Sequence, residues 1–402
     1  MISKNNFFYN YNFNSKKFNN NLRKTKKVFS SIKLELKSFN MPILSSYDKN
    51  YVFDFSKNTI KKFSKYNNII IIGMGGSILG IKCIHSFFRK KIKKEVFFFD
   101  NLDSNLYLKF KKIKNLKNSC FIIVSKSGNT LETLVNLSMI FSKSLFKNKS
   151  VFITELKNNS LVKIAKKYNA EIIEHKEFIG GRYSALSESA MFPAKLMGLQ
   201  LHKFKNLNKL INNRKFVTCL IRNVASIYTL NTKGINNSVM LNYDSRLNDL
   251  SFWYQQLVGE SLGKKGKGIN PIVAFGPKDH HSLLQLYLDG PKNKFFTFFN
   301  SVNKENTHKL KNEIIPNSMK FIKGKNLKSI IDAQLNSVKS IFIAKKIPFR
   351  EVFFKKNNEE ELGLVFTFFV LETILLARLM NVDPFNQPSV DQVKIETKKI
   401  LS

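Results

Sequence analysis

The sequence predicts two doubly wound parallel-sheet α/β domains in tandem, with helical segments at both ends. Three observations carry this. From residue 68 short apolar runs alternate with amphipathic stretches, the pattern of a parallel sheet covered by helices on both faces. The alternation breaks off in a helical interval after residue 187 and starts again near 235. The chain then closes on a strongly apolar helix and a proline-punctuated turn.

Taken in order, residues 1–45 are polar, aromatic and lysine-rich without clean periodicity, and are expected to form an N-terminal extension with a helix or two. The first α/β domain is assigned to 46–200. Its strands are NIIIIG, EVFFFD, CFIIVS, VFIT and EIIEH, with helices after Ser77 and from about Thr130 among those between them. A helical connection fills 201–234. The second domain, 235–358, reads as SVMLNY, a helix from about Leu247 to Leu262, IVAFG, a helix from about His280, KFFTFF, a helix from about Leu327 to Lys346, and PFREVFF. Residues 359–402 hold a helix over Glu359 to Met380, then DPFNQPSVDQVKIETKKIL, a turn feeding one more helix. The two halves share an architecture without a residue-level repeat.

A chain of 402 residues with 43% hydrophobic content can bury two cores, which excludes disorder of the whole. No apolar stretch of the ~18 residues needed to span a bilayer is read, and the N-terminus lacks a secretory core, so a soluble, cytoplasmic protein is expected. Cys83, Cys120 and Cys219 are isolated, odd in number and without CxxC spacing, which fits buried thiols and implies neither disulfide nor metal. The net charge of +39 invites a nucleic-acid reading, but the lysines are spread through every segment among asparagine, isoleucine and phenylalanine. No nucleic-acid partner is therefore assigned. The charge still favours the arrival of a phosphorylated small molecule.

Two loops follow strands of the first domain, where open parallel sheets bind ligands. Gly73-Met74-Gly75-Gly76-Ser77 is either a tight turn or a place where backbone approaches a ligand. It is not a dinucleotide fingerprint, since the third glycine would fall at Ile78, and it lacks the Gly-Lys-Ser/Thr ending of a P-loop. The second loop, Ser125-Lys126-Ser127-Gly128-Asn129-Thr130-Leu131-Glu132, puts three hydroxyls and an ammonium at the mouth of a helix. Those groups suit a phosphate, whereas simple N-capping would account for Ser127 and Thr130 alone. A cation such as Lys126 is unfavourable at a helix N-terminus unless an anion sits there.

Downstream, Arg182 stands directly behind Gly180-Gly181, an arrangement that can hold a guanidinium near a bound anion. In WYQQLVGESLGKKGKG, Trp253, Gln256, Leu257 and Glu260 share one helix face. Glu260 reads as a general base partly desolvated by that face, or as a solvated surface carboxylate. His280-His281 opens the next helix, a site for chemistry or simply for capping by Asp279. His85, His175, His202 and His308 have no partner pattern and read as structural or surface residues.

Together, GMGGSILG, SKSGNTLET, GGRYS, WYQQLVGESLGKKGKG, GPKDHHSLLQLYLDGP and PFNQPSVDQVK resemble, in order, motifs of the glucose-6-phosphate isomerase (phosphoglucose isomerase) family, which is built from two sugar-isomerase (SIS) domains. The resemblance runs from about residue 68 to the end. It implies interconversion of D-glucose 6-phosphate and D-fructose 6-phosphate through a cis-enediol(ate), in glycolysis and gluconeogenesis, with no metal or other cofactor. It assigns phosphate binding to Ser125, Lys126, Ser127 and Thr130, sugar contacts to Gly76, Ser77, Gln256 and Gln387, and site organisation to Glu132. Glu260 becomes the base, Arg182 the stabiliser, and His281 with Lys394 the ring-opening pair. It also implies a homodimer in which the histidine crosses the interface. The residue types suit the chemistry: one carboxylate takes and returns a proton between adjacent carbons while arginine balances the developing charge.

Departures from the family pattern lie at the phosphate loop, at Ser389 and Asp391, and at Glu188 where a small residue is usual. They bear on substrate breadth and spare Glu260, Arg182, His281 and Lys394. The alternatives are a dual phosphoglucose/phosphomannose isomerase, a non-catalytic sugar-phosphate-binding SIS protein and a basic nucleic-acid-binding protein.

Overall fold

In a computed structural model, the described residues are Phe8, Phe13, 15–38, 40–302 and 308–402. The rest of the expected 1–45 extension lies outside them. Within it one long helix, Ser15–Lys37, is described.

Among the described residues, nine strands form two all-parallel sheets. The first contains β1 (Asn68–Gly73), β2 (Glu95–Phe99), β3 (Ser119–Val124), β4 (Ser150–Thr154) and β5 (Glu171–Glu174), in the order β2-β1-β3-β4-β5. The second contains β6 (Asn237–Asn242), β7 (Asn270–Phe275), β8 (Lys294–Ser301) and β9 (Phe349–Phe354), in the order β7-β6-β8-β9. In each sheet the first strand is central and the chain winds away from it in both directions. The point of reversal falls between β1 and β3, where the two first-domain loops emerge.

The isoleucines of β1 explain the continuous apolar run. Ile69 and Ile71 point into the large core that joins both sheets, while Ile70 and Ile72 point into a separate core on the outer face, and all four are fully buried. Period-two alternation with both faces covered leaves no polar position. Burial of each such side chain contributes roughly 1.5–3 kcal/mol.

Between the sheets run three helices that position the site: Gly76–Phe88 after β1, Asn248–Leu262 after β6, and Glu359–Met380 after β9. The first two pack on each other, bringing the glycine loop of one domain against the helix of the other. Glu359–Met380 begins at the Asn358 N-cap, whose side chain accepts from the Glu361 N–H, and stops where Asn381 turns left-handed. Contrary to the expectation of no spanning stretch, this helix is long and apolar enough, by length and composition, to cross a bilayer. Its most apolar window is 83% buried within the fold, so the core accounts for its composition.

Two helix boundaries differ from expectation. The helix expected from His280 is instead a 3-10 turn, Lys278–His281, followed by a short helix, Leu284–Asp289. Asp279 causes this: its carboxylate accepts from the Phe275 N–H at 2.6 Å and from the Ser282 hydroxyl at 3.1 Å, tying the turn back to the end of β7. The helix from Leu327 ends at Ala344, two residues early, because Lys346 adopts φ of 55°.

Candidate active site

Arg182 is the centre of the site. It lies in the 3-10 turn Gly181–Leu186 and its side chain is only 4% exposed. A guanidinium has five N–H donors, and each meets an acceptor here. Nε donates to Ser261 Oγ at 2.9 Å; Nη1 donates to Glu260 Oε2 at 3.1 Å and Gln387 Oε1 at 2.9 Å. Nη2 donates to the Pro384 carbonyl and, at 3.1 Å, to that of Asn386. One buried cation thus joins residues separated by 78 and 205 positions in the chain.

Glu260 sits near the C-terminal end of the helix Asn248–Leu262, 29% exposed. One turn earlier, Gln256 donates its Nε2–H to Glu260 Oε1 at 2.8 Å. Gln256 Oε1 is buried and meets no donor among the described residues. Glu260 is thus partly buried, as the general-base reading expects, while Trp253 on the same helix face packs edge-on to Phe366 at 4.7 Å in the core. The helix face is shared, but two turns separate the residues, and by Glu260 that face has left the core for the cleft.

The glycine loop belongs to this cluster, and its glycines are required by close packing on neighbouring segments of the protein. Gly75 has φ of 51°, and a Cβ there would stand 2.8 Å from Gln256 Nε2. A Cβ on Gly76 would stand 2.2 Å from the Gly181 carbonyl carbon, so only glycine lets this backbone lie against the turn that carries Arg182. The Ser184 hydroxyl donates to the Gly76 carbonyl at 3.1 Å and fastens the two segments. Ser77 follows, half-buried in the first turn of the helix Gly76–Phe88.

In the Ser125–Glu132 loop, Ser125 is buried, bonded to Thr130 Oγ1 at 2.8 Å and accepting from the Gly128 N–H at 3.1 Å. Thr130 is the N-cap residue of the helix Leu131–Ile140, yet its side chain makes no capping bond. Ser127 is exposed and accepts from the Asn129 N–H at 3.4 Å. The capping explanation for these hydroxyls therefore fails, and the first-turn N–H groups receive no side-chain acceptor from the cap residue. Lys126 has a counter-ion the sequence did not reveal: Glu155, after β4, lies 3.7 Å from its ammonium. Glu132 is half-buried in the first helical turn.

The C-terminal helix Val390–Leu401 faces this loop across a cavity of about 680 Å³. Ser127, Thr130 and Glu132 line one side and Lys394 the other. Lys394 is exposed and pairs with Asp391 at 2.8 Å. Gln387, in the preceding turn, is bound to Arg182.

His281 is not gathered into the cluster. It is exposed on the 3-10 turn after β7, and no contact among the described residues joins it to Glu260, Arg182 or Lys394. Its neighbour His280 is the tethered one, with Nε2 2.6 Å from the Tyr243 hydroxyl. Burial, then the charge of His281, lowers the His280 pKa. His175 is structural as expected: it is 1% exposed, and desolvation depresses its pKa to about 4.

Several residues escaped sequence reasoning: Ser261 and Tyr183 behind the arginine, the carbonyls of Pro384 and Asn386, and Glu155. The carbonyls have no side-chain signature. Ser261 adjoins Glu260, and Tyr183 adjoins Arg182, so adjacency was the available signal. Glu188 is turned away from the site into the protein, where the Tyr51 hydroxyl donates to it at 2.8 Å and the Asp54 N–H at 3.3 Å. Desolvation raises its pKa.

The phosphoglucose isomerase family model matches residues 53–402. The glucose-6-phosphate isomerase of Methanocaldococcus jannaschii is 32% identical over 356 residues, covering 86% of this chain and 87% of that protein. That of Campylobacter jejuni is 29% identical, covering 87% and 89%. Among solved structures, a hypothetical protein from Thermus thermophilus superposes with a TM-score of 0.81 at 21% identity, over 94% of each chain. A glucose-6-phosphate isomerase from Chlamydia trachomatis gives 0.73 at 17% identity, over 86% of this chain and 71% of that one. These two share the fold. The family match spans both sheets, the Arg182–Glu260 cluster and the C-terminal helix, and by it the chain belongs to the phosphoglucose isomerase family.

Proposed function

We propose that the protein interconverts D-glucose 6-phosphate and D-fructose 6-phosphate through a cis-enediol(ate). The observation that carries this reading is the Glu260 carboxylate held 3.1 Å from a nearly fully buried, five-times-bonded guanidinium, in a chain whose family relatives bear the name of that activity. The phosphate seats on the Ser125–Thr130 loop, where hydroxyls, the Lys126 ammonium and the N–H groups of the helix Leu131–Ile140 converge. The sugar then extends toward Gly76, Ser77 and Gln256, whose buried Oε1 accepts a sugar hydroxyl.

Each step falls to a residue of this chain. Ring opening moves a proton from the anomeric hydroxyl and delivers one to the ring oxygen, the task of His281 and Lys394. Glu260 then removes the proton from C2 of the open-chain aldose. The C–H electron pair forms the C1–C2 double bond, and the carbonyl electrons move onto O1. The Arg182 charge stabilises that oxygen, which takes up the proton of the C2 hydroxyl; the O2 electrons then form the C2 carbonyl while the C1–C2 pair takes the proton back from Glu260 at C1. The reverse direction exchanges the roles of the two carbons. Because His281 makes no contact with Glu260 within its own chain, this reading has it serve the site of a second copy, in a homodimer. The same reading takes the enzyme as cytoplasmic and without a nucleic-acid partner, and its domains as 46–200 and 235–358.

A coupled assay of the purified protein with fructose 6-phosphate, run beside mannose 6-phosphate and a Glu260→Gln variant, tests it. Turnover of fructose 6-phosphate that collapses in the variant is expected. An inactive wild type, or an undiminished variant, refutes the mechanism. Comparable turnover of mannose 6-phosphate makes the enzyme a dual isomerase.

A further inference from the structure

We propose that Ser261 and Tyr183 are positioning residues that fix Arg182 through a one-way chain of hydrogen bonds, keeping its Nη1 edge toward Glu260. This rests on the isomerase reading for its kinetic consequence but not for its geometry. Arg182 Nε is 2.9 Å from Ser261 Oγ, Ser261 Oγ is 2.9 Å from the Tyr183 hydroxyl, and that hydroxyl is 3.0 Å from the Pro384 carbonyl oxygen. Ser261 and Tyr183 are both fully buried.

The direction of every bond is forced by what stands at the two ends. A guanidinium N–H can only donate, and a carbonyl oxygen can only accept. Arg182 Nε–H therefore donates to Ser261. Tyr183 gives its single proton to Pro384, so at the middle bond Ser261 donates to Tyr183. Each hydroxyl accepts once and donates once, and no alternative assignment satisfies all three contacts. Burial raises the Tyr183 pKa and so preserves the proton at the end of the chain. Chains of this kind strengthen cooperatively, and losing one buried member leaves another without its partner.

The chain also doubles a link that the arginine's other bonds make. It runs, independently of Nη1 and Nη2, through the same three segments: the turn that carries Arg182, the helix that carries Glu260, and the turn at Pro384 that leads to Gln387 and Lys394. With Nε held by Ser261 and Nη2 by two carbonyls, the guanidinium meets Glu260 through Nη1 alone. It cannot rotate to present the Nε/Nη2 fork that would engage both carboxylate oxygens, one of which stays with Gln256.

The test uses Ser261→Ala, Tyr183→Phe and the double variant in the full-length protein. The first readout is steady-state kinetics and the second is hydrogen exchange of the Arg182 Nε–H, followed by NMR with arginine labelled. A kcat loss of roughly tenfold or more is expected for Ser261→Ala, with KM within about twofold, since the phosphate loop is untouched. Tyr183→Phe loses less. In the Ser261→Ala background, Tyr183→Phe has no further effect, because the chain is already cut. The protected Arg182 Nε–H of the wild type exchanges faster in both single variants. Effects that multiply in the double variant, losses confined to KM, or an Nε–H equally protected throughout overturn the proposal. If the wild type does not turn over sugar phosphates but shows the expected exchange pattern, the isomerase reading falls and the chain stands.

Discussion

Two arginine–glutamate pairs in this protein have opposite characters. Arg350 and Glu372 join β9 to the helix Glu359–Met380, and each side chain is 1% exposed. Both carboxylate oxygens are taken by the guanidinium, Nε goes to Thr297 at 3.0 Å and Nη1 also reaches Asn223 at 3.3 Å. Arg182 is as deeply held, but it spreads its donors over five acceptors, only one of them on Glu260, whose side chain is 29% exposed. The closed pair fastens a strand to a helix. The open pair leaves a carboxylate facing a cleft with a fixed positive charge beside it, an arrangement with no structural advantage over the closed one and a clear chemical use.

Substitutions can break this contrast. Glu260→Gln is expected to reduce kcat by about 10³- to 10⁴-fold while leaving the thermal unfolding midpoint nearly unchanged; a large stability loss would make the open pair structural after all. Glu372→Gln is expected to do the reverse, destabilising by about 3–5 kcal/mol because Arg350 is left buried beside a neutral amide. Denaturant unfolding measures it, and kcat per folded molecule should hold. A loss of kcat at full stability would erase the distinction.

A pH titration sharpens the comparison with a group that is buried without any partner charge. Burial pushes the His175 pKa down to about 4 from the ordinary histidine value of 6.5. Between those values the unfolded chain binds the extra proton, so stability rises with pH across that window and is lost as pH falls from about 6.5 to 4. Across that window the effect is about 3 kcal/mol. Replacing His175 by Gln should flatten this part of the stability–pH curve, and an unchanged slope would assign it to other groups. The smallest effect is expected for Lys126→Ala: a rise in KM of about tenfold with kcat little altered, since a point charge on a phosphate contributes equally to substrate and transition state. A fall in kcat instead would bring Lys126 into the chemistry.

Much of this was legible in the sequence where a local rule operates. The four isoleucines of β1 admit only a strand covered on both faces, and all nine strands lie where apolar runs were read. The residues at the site were legible by type and motif, because Arg182, Glu260 and the Ser125–Thr130 loop each sit at a recognisable turn or helix end. What was not legible depended on distant partners. Trp253 and Glu260 share a helix face, but whether that face meets core or cleft changes within two turns and is decided by what packs there. Asp279 was read as a helix cap, yet its carboxylate reaches back to the end of β7 and leaves His281 on a tight exposed turn.

By itself, the sequence determined the alternation of strands and helices, the glycines that permit close approach, and the kinds of functional group present, since each follows from periodicity, backbone freedom or side-chain chemistry within a few residues. Only the tertiary structure decided that Gly76 lies against Gly181, that Arg182 meets both Glu260 and Gln387, and that Ser261 and Tyr183 stand behind it. Those contacts span both sheets and the C-terminal turn. Hydrogen bonds act over about 3 Å, and which acceptors come that close to a buried guanidinium is fixed by the packing of the helices that carry them.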